Sequence, residues 1–102
     1  MKTEVSILHH QAYPPHVLEF VADKLQHLVR YCDRTESITA RIERQREDHR
    51  VELVAHVRRR PALVVEGRAP HLEAALDLAV DRMARVLKRQ NDSRRSGRRG
   101  RA

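Results

Sequence analysis

The chain has 102 residues, and its 21 Lys and Arg against 14 Asp and Glu give a formal net charge of +7. This length supports one small domain with a single core, and the charge favours a polyanionic partner over a small neutral ligand. The lone cysteine excludes an internal disulfide, and the longest apolar run, residues 62–65, is far too short to cross a bilayer. Because no segment resembles a signal peptide, we expect a cytoplasmic protein that does not enter a membrane.

The N-terminal part of the sequence predicts one strand and one helix. Residues 5–10 alternate in the period of two that is typical of a short strand. Pro15 is suited to begin a helix, because the first turn leaves its N–H groups unpaired in any case. From Leu18 to Cys32 apolar residues recur at spacings of three and four, which indicates an amphipathic helix.

The rest of the sequence predicts three strands and a second helix. Residues 38–43 and 51–58 alternate around a polar turn at residues 45–49, and residues 62–66 form a compact fourth strand that ends at Gly67. The stripe from Leu72 to Leu87 predicts the second helix. The fold class is therefore α+β, in the order β-α-β-β-β-α, with a four-stranded sheet that carries two helices on one face.

A basic extension follows this domain. No apolar residue lies between Gln90 and Ala102, so we expect a folded domain of residues 1–90 and a disordered tail of residues 91–102. The tail can bind RNA by releasing counterions without adopting a fixed structure, or it can remain solvated with no defined path. Its predicted RNA-binding residues are Arg94, Arg95, Arg98, Arg99 and Arg101.

The sequence carries no recognisable catalytic, cofactor or metal motif. Its seven histidines lack the close spacings of zinc ligands, and Cys32 falls on the apolar stripe of the first helix, where a buried structural thiol is expected. We therefore expect no enzyme activity, cofactor, metal or small-molecule substrate. The predicted strands also lack aromatic residues, which argues against a sheet that stacks single-stranded bases.

Two segments resemble the ribosome hibernation-promoting factor and ribosome-associated inhibitor family, also called the sigma-54 modulation protein family. The first is the helix from Leu18 to Leu25, continuing to Leu28 and Tyr31. The second comprises Ala74-Ala75-Leu76-Asp77, Asp81-Arg82-Met83 and Arg85, and the similarity spans roughly residues 4–89. Residue by residue, the resemblance matches Lys24 to the family's basic position in the first helix. It matches Arg82, Arg85 and Arg89 to those in the second.

The resemblance implies the same β-α-β-β-β-α fold and a function in translation. Members of the family bind the small ribosomal subunit and its 16S rRNA near the decoding region, where they occlude the messenger and tRNA sites in stationary phase and stress. The resemblance therefore implies a non-enzymatic translation silencer. We expect a short-type member, without the dimerisation domain of the long form, that is monomeric off the ribosome.

Two helix faces are the candidate rRNA contacts. His27 and Arg30 follow Lys24 at helical spacing, and Lys88 extends the second cluster, so the predicted RNA-binding residues are Lys24, His27, Arg30, Arg82, Arg85, Lys88 and Arg89. A merely solvated face, or stabilisation of the helix end by the dipole, is the alternative for these residues. The alternatives for the protein are a general double-stranded RNA-binding protein and a protein-interaction module that regulates a partner.

Overall fold

The chain folds into a four-stranded sheet with two helices on one face. The structure, a computed structural model, describes residues 3–9 and 13–100, with side chains up to Asp92. Its elements are β1 (Glu4–His9), α1 (Pro15–Leu28), a 3₁₀ turn (Val29–Tyr31), β2 (Thr35–Gln45), β3 (Asp48–Val57), β4 (Leu63–Ala69) and α2 (Leu72–Gly100). The strand order is β1-β2-β3-β4, with β1 parallel to β2 and the other pairs antiparallel. This confirms the predicted α+β fold class and the β-α-β-β-β-α order.

The first helix begins at Pro15, as predicted. The carbonyl of Pro14 accepts hydrogen bonds from the N–H groups of Val17 (3.0 Å) and Leu18 (3.3 Å), which starts the first turn. Val21, Leu25 and Leu28 are fully buried one turn apart, and Cys32, just beyond the 3₁₀ turn, is buried as expected. The apolar stripe therefore fixes which face of α1 packs on the sheet.

The sheet separates a buried face from a polar one. The inward positions of β2 and β3 are fully buried and pair Ile38 with Ala55, Ala40 with Leu53, and Ile42 with Val51. Each buried Ile, Leu or Val contributes about 1.5–3 kcal/mol relative to the exposed state, so these pairs hold the helices on the sheet. The alternate positions, such as Thr39, Arg41 and Glu52, lie on the other face, which carries no helix.

The helix α2 approaches the sheet closely at Gly67. A Cβ atom at this position would collide with the carbonyl oxygen of Ala75 and lie 2.8 Å from the amide nitrogen of Ala79. Only glycine allows the two backbones to come this close. Gly67 pairs with Val51 of β3, and β4 continues through it to Ala69, so the prediction that the strand ends at Gly67 is wrong.

The β2–β3 hairpin is tighter than predicted. Its turn contains only Arg46 and Glu47, and Arg46 has a positive φ of 58°. The remaining residues of the polar segment 45–49 belong to the strands, where Gln45 pairs with Asp48. The predicted five-residue turn is therefore wrong.

The second helix is longer than its apolar stripe. Its backbone is helical from Leu72 to Gly100, well past the expected end near Leu87. The side chains of the predicted tail from residue 93 onward lie outside the described part of the chain. The boundary at residue 90 and the disorder of residues 91–102 therefore stay predictions.

Candidate nucleic-acid interface

The seven predicted RNA-binding residues lie on α1, on the turn that follows it, or on α2. Lys24 and His27 belong to α1, and Arg30 belongs to the 3₁₀ turn. The other four, on α2, are Arg82, Arg85, Lys88 and Arg89. Lys24 is partly buried and the other six are exposed. The helices pack side by side on one face of the sheet, so all seven belong to one layer of the molecule.

Lys24 is already engaged within the protein. Its Nζ lies 3.8 Å from Asp77 Oδ1 of α2 and 5.5 Å from the centre of the Phe20 ring. Both side chains of the ion pair are substantially exposed, so the pair contributes only about 0–1 kcal/mol to stability. It nevertheless places a negative charge beside the cation that the resemblance assigned to rRNA.

Arg82 is also held by the protein. Its Nη1 donates a hydrogen bond to the backbone carbonyl of Glu66 in β4, the edge strand next to α2. The charge-assisted bond ties the helix to a strand that has no neighbour on its outer side. Arg82 therefore has a structural role in addition to any contact with a ligand.

The remaining basic residues of α2 are different. Arg85, Lys88 and Arg89 are exposed, and none of them forms a hydrogen bond or ion pair with another described residue. All three lie near the middle of the helix, well before its end at Gly100, so the dipole at the helix end does not account for them. Their full charge is thus available to an external anion.

Two carboxylates interrupt the basic surface nearer the start of α2. Asp77 and Asp81, one turn apart, line a shallow cleft between the helices together with Lys24 and Leu78. Carboxylates repel a phosphate backbone, so this part of the helical layer is electrostatically mixed. The unpaired cations of α2 lie further along the helix, beyond these two carboxylates.

The structure reveals a basic cluster of which the sequence analysis singled out only Arg30. Arg58, Arg59 and Arg60 occupy the β3–β4 connection, all exposed, and the Arg58 N–H donates to the carbonyl of Arg34 at the start of β2 (3.0 Å). The end of α1, the start of β2 and the end of β3 lie at one end of the sheet, so Arg30 belongs to the same region. We call Arg30, Arg34, Arg58, Arg59 and Arg60 the arginine end. The run of three arginines before Pro61 was the available sequence signal.

The arginine end and the unpaired cations of α2 lie towards the same end of the sheet, where β2 starts and β3 ends, and we call this end the basic pole. The helix α2 begins just after the far end of β4 and returns along the sheet, and it packs against the 3₁₀ turn that contains Arg30. Cations from four segments therefore collect at this pole. A surface of this kind suits a ligand that carries many phosphates.

The helix-free face of the sheet is balanced in charge. Arg50 lies within 3.3 Å of Glu43, 3.0 Å of Glu52 and 2.9 Å of Glu66. The hydrogen bond from Arg50 lowers the pKa of Glu66 below its usual value, and the same bond raises the pKa of Arg50. Because these charges pair with one another, this face attracts a polyanion much less than the helical layer does.

The histidines that the structure describes do not converge on a metal site. Among the described residues, no group of three or more His, Cys, Asp and Glu is arranged to bind a metal ion. His27 is exposed on α1, whereas burial and the neighbouring Arg44 and His71 lower the pKa of His49.

No helix in the described part of the chain is both long and apolar enough to span a membrane.

The predicted contacts of the tail lie outside the described side chains. These residues are Arg94, Arg95, Arg98, Arg99 and Arg101. Their role in RNA binding stays a prediction.

Comparison with known proteins identifies the family. The family model described as sigma 54 modulation protein / S30EA ribosomal protein matches residues 7–95. The fold is similar to that of the N-terminal domain of Protein Y from Thermus thermophilus, with a TM-score of 0.74 and 24% identity, covering 86% of this chain and 98% of that one. It is also similar to a ribosomal subunit interface protein from Coxiella burnetii, with a TM-score of 0.72 and 11% identity, covering 92% of this chain and 99% of that one. No curated protein sequence matches the chain. The family model covers most of the sequence, and the chain therefore belongs to the sigma 54 modulation protein / S30EA ribosomal protein family.

Proposed function

We propose that this protein is a ribosome hibernation factor and not an enzyme. It binds the small ribosomal subunit near the decoding region, through its 16S rRNA, and silences translation because it occludes the messenger and tRNA sites. It acts in the cytoplasm in stationary phase and stress, and it is monomeric off the ribosome. Family membership and the ribosomal subunit interface protein among the similar structures support this proposal.

The observation that carries the proposal is the group of unpaired cations on α2. Arg85, Lys88 and Arg89 are exposed and make no hydrogen bond or ion pair with another described residue. Arginine donates two parallel hydrogen bonds to a phosphate, so such a group suits structured RNA. Steric exclusion then needs no further chemistry from the protein.

The structure changes the weight of the individual contacts. To contact RNA, Lys24 must leave Asp77 or share its charge with it. Arg82 must either break its bond to the Glu66 carbonyl or use only the N–H groups that this bond leaves unused. We therefore place Arg85, Lys88 and Arg89 at the centre of the interface, with Lys24, His27, Arg30 and Arg82 around them. The arginines of residues 91–102 extend the same charge.

Sedimentation of the purified protein with separated ribosomal subunits tests the proposal. The measurement is made at two salt concentrations, with a short RNA duplex as competitor. We expect sedimentation with the small subunit that resists the duplex. Equal capture by the duplex would instead indicate a general double-stranded RNA-binding protein, and free protein with a copurifying partner would indicate an interaction module.

A matched pair of double variants tests the helical interface. Arg85→Gln/Arg89→Gln should weaken binding to the subunit about tenfold. It should also lower the steepness of log affinity against log salt concentration by roughly two, one for each lost phosphate contact. Arg41→Gln/Arg46→Gln removes the same charge from the helix-free face and the hairpin turn, and it should bind nearly as tightly as the wild type. Equal affinities of the two double variants would contradict a specific role for α2.

A further inference from the structure

We propose that the cleft formed by Arg34 and Arg58 at the arginine end is a binding site for a phosphate group of an RNA backbone. The identity of that RNA as rRNA rests on the proposed function. The site itself rests on the geometry of Arg34. Neither Arg34 nor Arg58 belongs to the helix faces that the sequence analysis singled out.

Arg34 presents an unused pair of donors. Its Nε and Nη2 are both buried and have no hydrogen-bond partner. In the planar guanidinium these two N–H groups lie on the same edge and point in the same direction, which is the arrangement that holds two oxygens of one phosphate. Buried donors without an acceptor are unfavourable, so an anion that accepts from both is bound with a gain.

The surroundings of this edge form a small cleft. It has a volume of about 220 Å³ and is lined by Asp33, Arg34, Thr35 and Arg58. The Thr35 hydroxyl already donates to the Cys32 carbonyl (2.8 Å), and Asp33 forms no ion pair with Arg34. No described carboxylate therefore pairs with Arg34, although Asp33 lines the same cleft. Asp33 and Arg58 are exposed side chains on turns, and their rotation admits a ligand to the buried edge.

The location of the cleft favours a polyanion over a single carboxylate. Arg59 and Arg60 follow Arg58 directly and are exposed, and Arg30 lies at the same end of the sheet. One carboxylate would satisfy Arg34 alone, whereas a backbone with successive phosphates can use the neighbouring cations too. The cleft also lies at the pole where the unpaired cations of α2 collect. One RNA can therefore contact both.

Three variants of the full chain separate fork geometry from charge. Arg34→Lys keeps the charge but removes the paired donors, Arg58→Gln removes the charge on the opposite wall, and Arg46→Gln removes one exposed arginine at the far end of the sheet. We expect the first two each to weaken binding to a short RNA duplex and to the small subunit about three- to tenfold. Arg58→Gln should also lower the steepness of log affinity against log salt concentration by about one. Arg46→Gln should leave both affinities within twofold of the wild type.

The NMR signal of the Arg34 Nε–H provides a direct readout. It should shift when the short RNA duplex is added to the wild type. The dissociation constant obtained from this shift should equal the one obtained from the binding isotherm. An unmoved signal at saturating duplex, or wild-type affinity of both Arg34→Lys and Arg58→Gln for the subunit, would overturn the site. If the wild type binds the duplex and shifts this signal but does not sediment with ribosomal subunits, the proposed function fails and the site stands. If it sediments and the variants do too, with unchanged affinity, the function stands and the site fails.

Discussion

The Nζ of Lys24 lies 3.8 Å from Oδ1 of Asp77, so the first helix pairs a cation assigned to rRNA with a carboxylate of the second helix. Asp81 lies one turn further along α2 in the same cleft. A phosphate that approaches Lys24 must compete with Asp77 and is repelled by both carboxylates. We therefore expect the pair to lower the affinity of the helical layer for RNA.

Removing this competitor should tighten binding. Asp77→Asn keeps the shape of the side chain, frees Lys24 and adds one net positive charge, so we expect the affinity for the small subunit to rise about two- to fivefold. Stability should change by less than about 1 kcal/mol, because the ion pair is exposed. Sedimentation at fixed salt measures the first effect and urea unfolding the second.

Glu19→Gln provides the control for net charge. Glu19 is an exposed carboxylate of α1 that makes no ion pair with another described residue, so its removal changes the charge by the same amount without freeing Lys24. An equal gain of affinity in both variants would attribute the effect to net charge alone and contradict the competition.

Gly67 should be intolerant of any side chain. In Gly67→Ala the new methyl group collides with backbone atoms of Ala75 and Ala79, which cannot move aside as a flexible side chain would. We expect a loss of about 2–3 kcal/mol in the free energy of unfolding, measured with urea. Val64→Ala, on the exposed face of the same strand, should cost less than about 1 kcal/mol. Equal losses would show that the contact between α2 and β4 can relax.

The periodicity of the sequence predicted the helices and the buried strand faces, because burial repeats at fixed spacings along α1 and β2. It failed at Gly67, which has the local character of a strand end although its role is set by α2, packed against it in space. Arg34 was missed for a related reason. Only the fold places its guanidinium beside Arg58, because Arg34 lies in a turn outside any periodic pattern and Arg58 ends the alternation of residues 51–58.

The same distinction applies to the predicted interface. Helical spacing correctly placed Arg85, Lys88 and Arg89 on an exposed surface. It did not reveal that Asp77 pairs with Lys24 or that the Glu66 carbonyl accepts from Arg82, since both partners are distant in sequence. A pattern can identify cations on a helix surface, whereas their availability depends on partners that only the tertiary structure supplies.

Arg50 should contribute more to stability than the other arginines of the helix-free face. Its side chain is 19% exposed and contacts three carboxylates, so Arg50→Gln leaves Glu43, Glu52 and Glu66 without their shared cation. We expect a loss of about 1–3 kcal/mol at neutral pH. Arg68→Gln removes an exposed arginine whose contact with Glu66 is longer, 3.7 Å, and it should cost under about 1 kcal/mol.

The effect of Arg50→Gln should fade in acid. Because Arg50 holds the pKa of Glu66 below its ordinary value, this contribution is present above the unfolded pKa and is lost as the pH falls through the folded pKa. Urea unfolding of both proteins from neutral to acidic pH measures the change. A difference that stays constant down to low pH would show that the carboxylates do not carry the effect.

His49 should make the fold sensitive to mild acid. Burial, Arg44 and His71 lower its pKa below the ordinary value of about 6.5, with Asp48 opposing them, and its buried Nδ1 has no partner. The folded state therefore resists protonation that the unfolded chain accepts. The contribution of neutral His49 is complete above the unfolded pKa and is lost as the pH falls below about 6.5 towards the lowered folded pKa. In His49→Gln, the free energy of unfolding should fall less over this range than in the wild type. His56→Gln, at an exposed position on the same strand, should retain the wild-type loss, and identical pH profiles for all three proteins would contradict the role of His49.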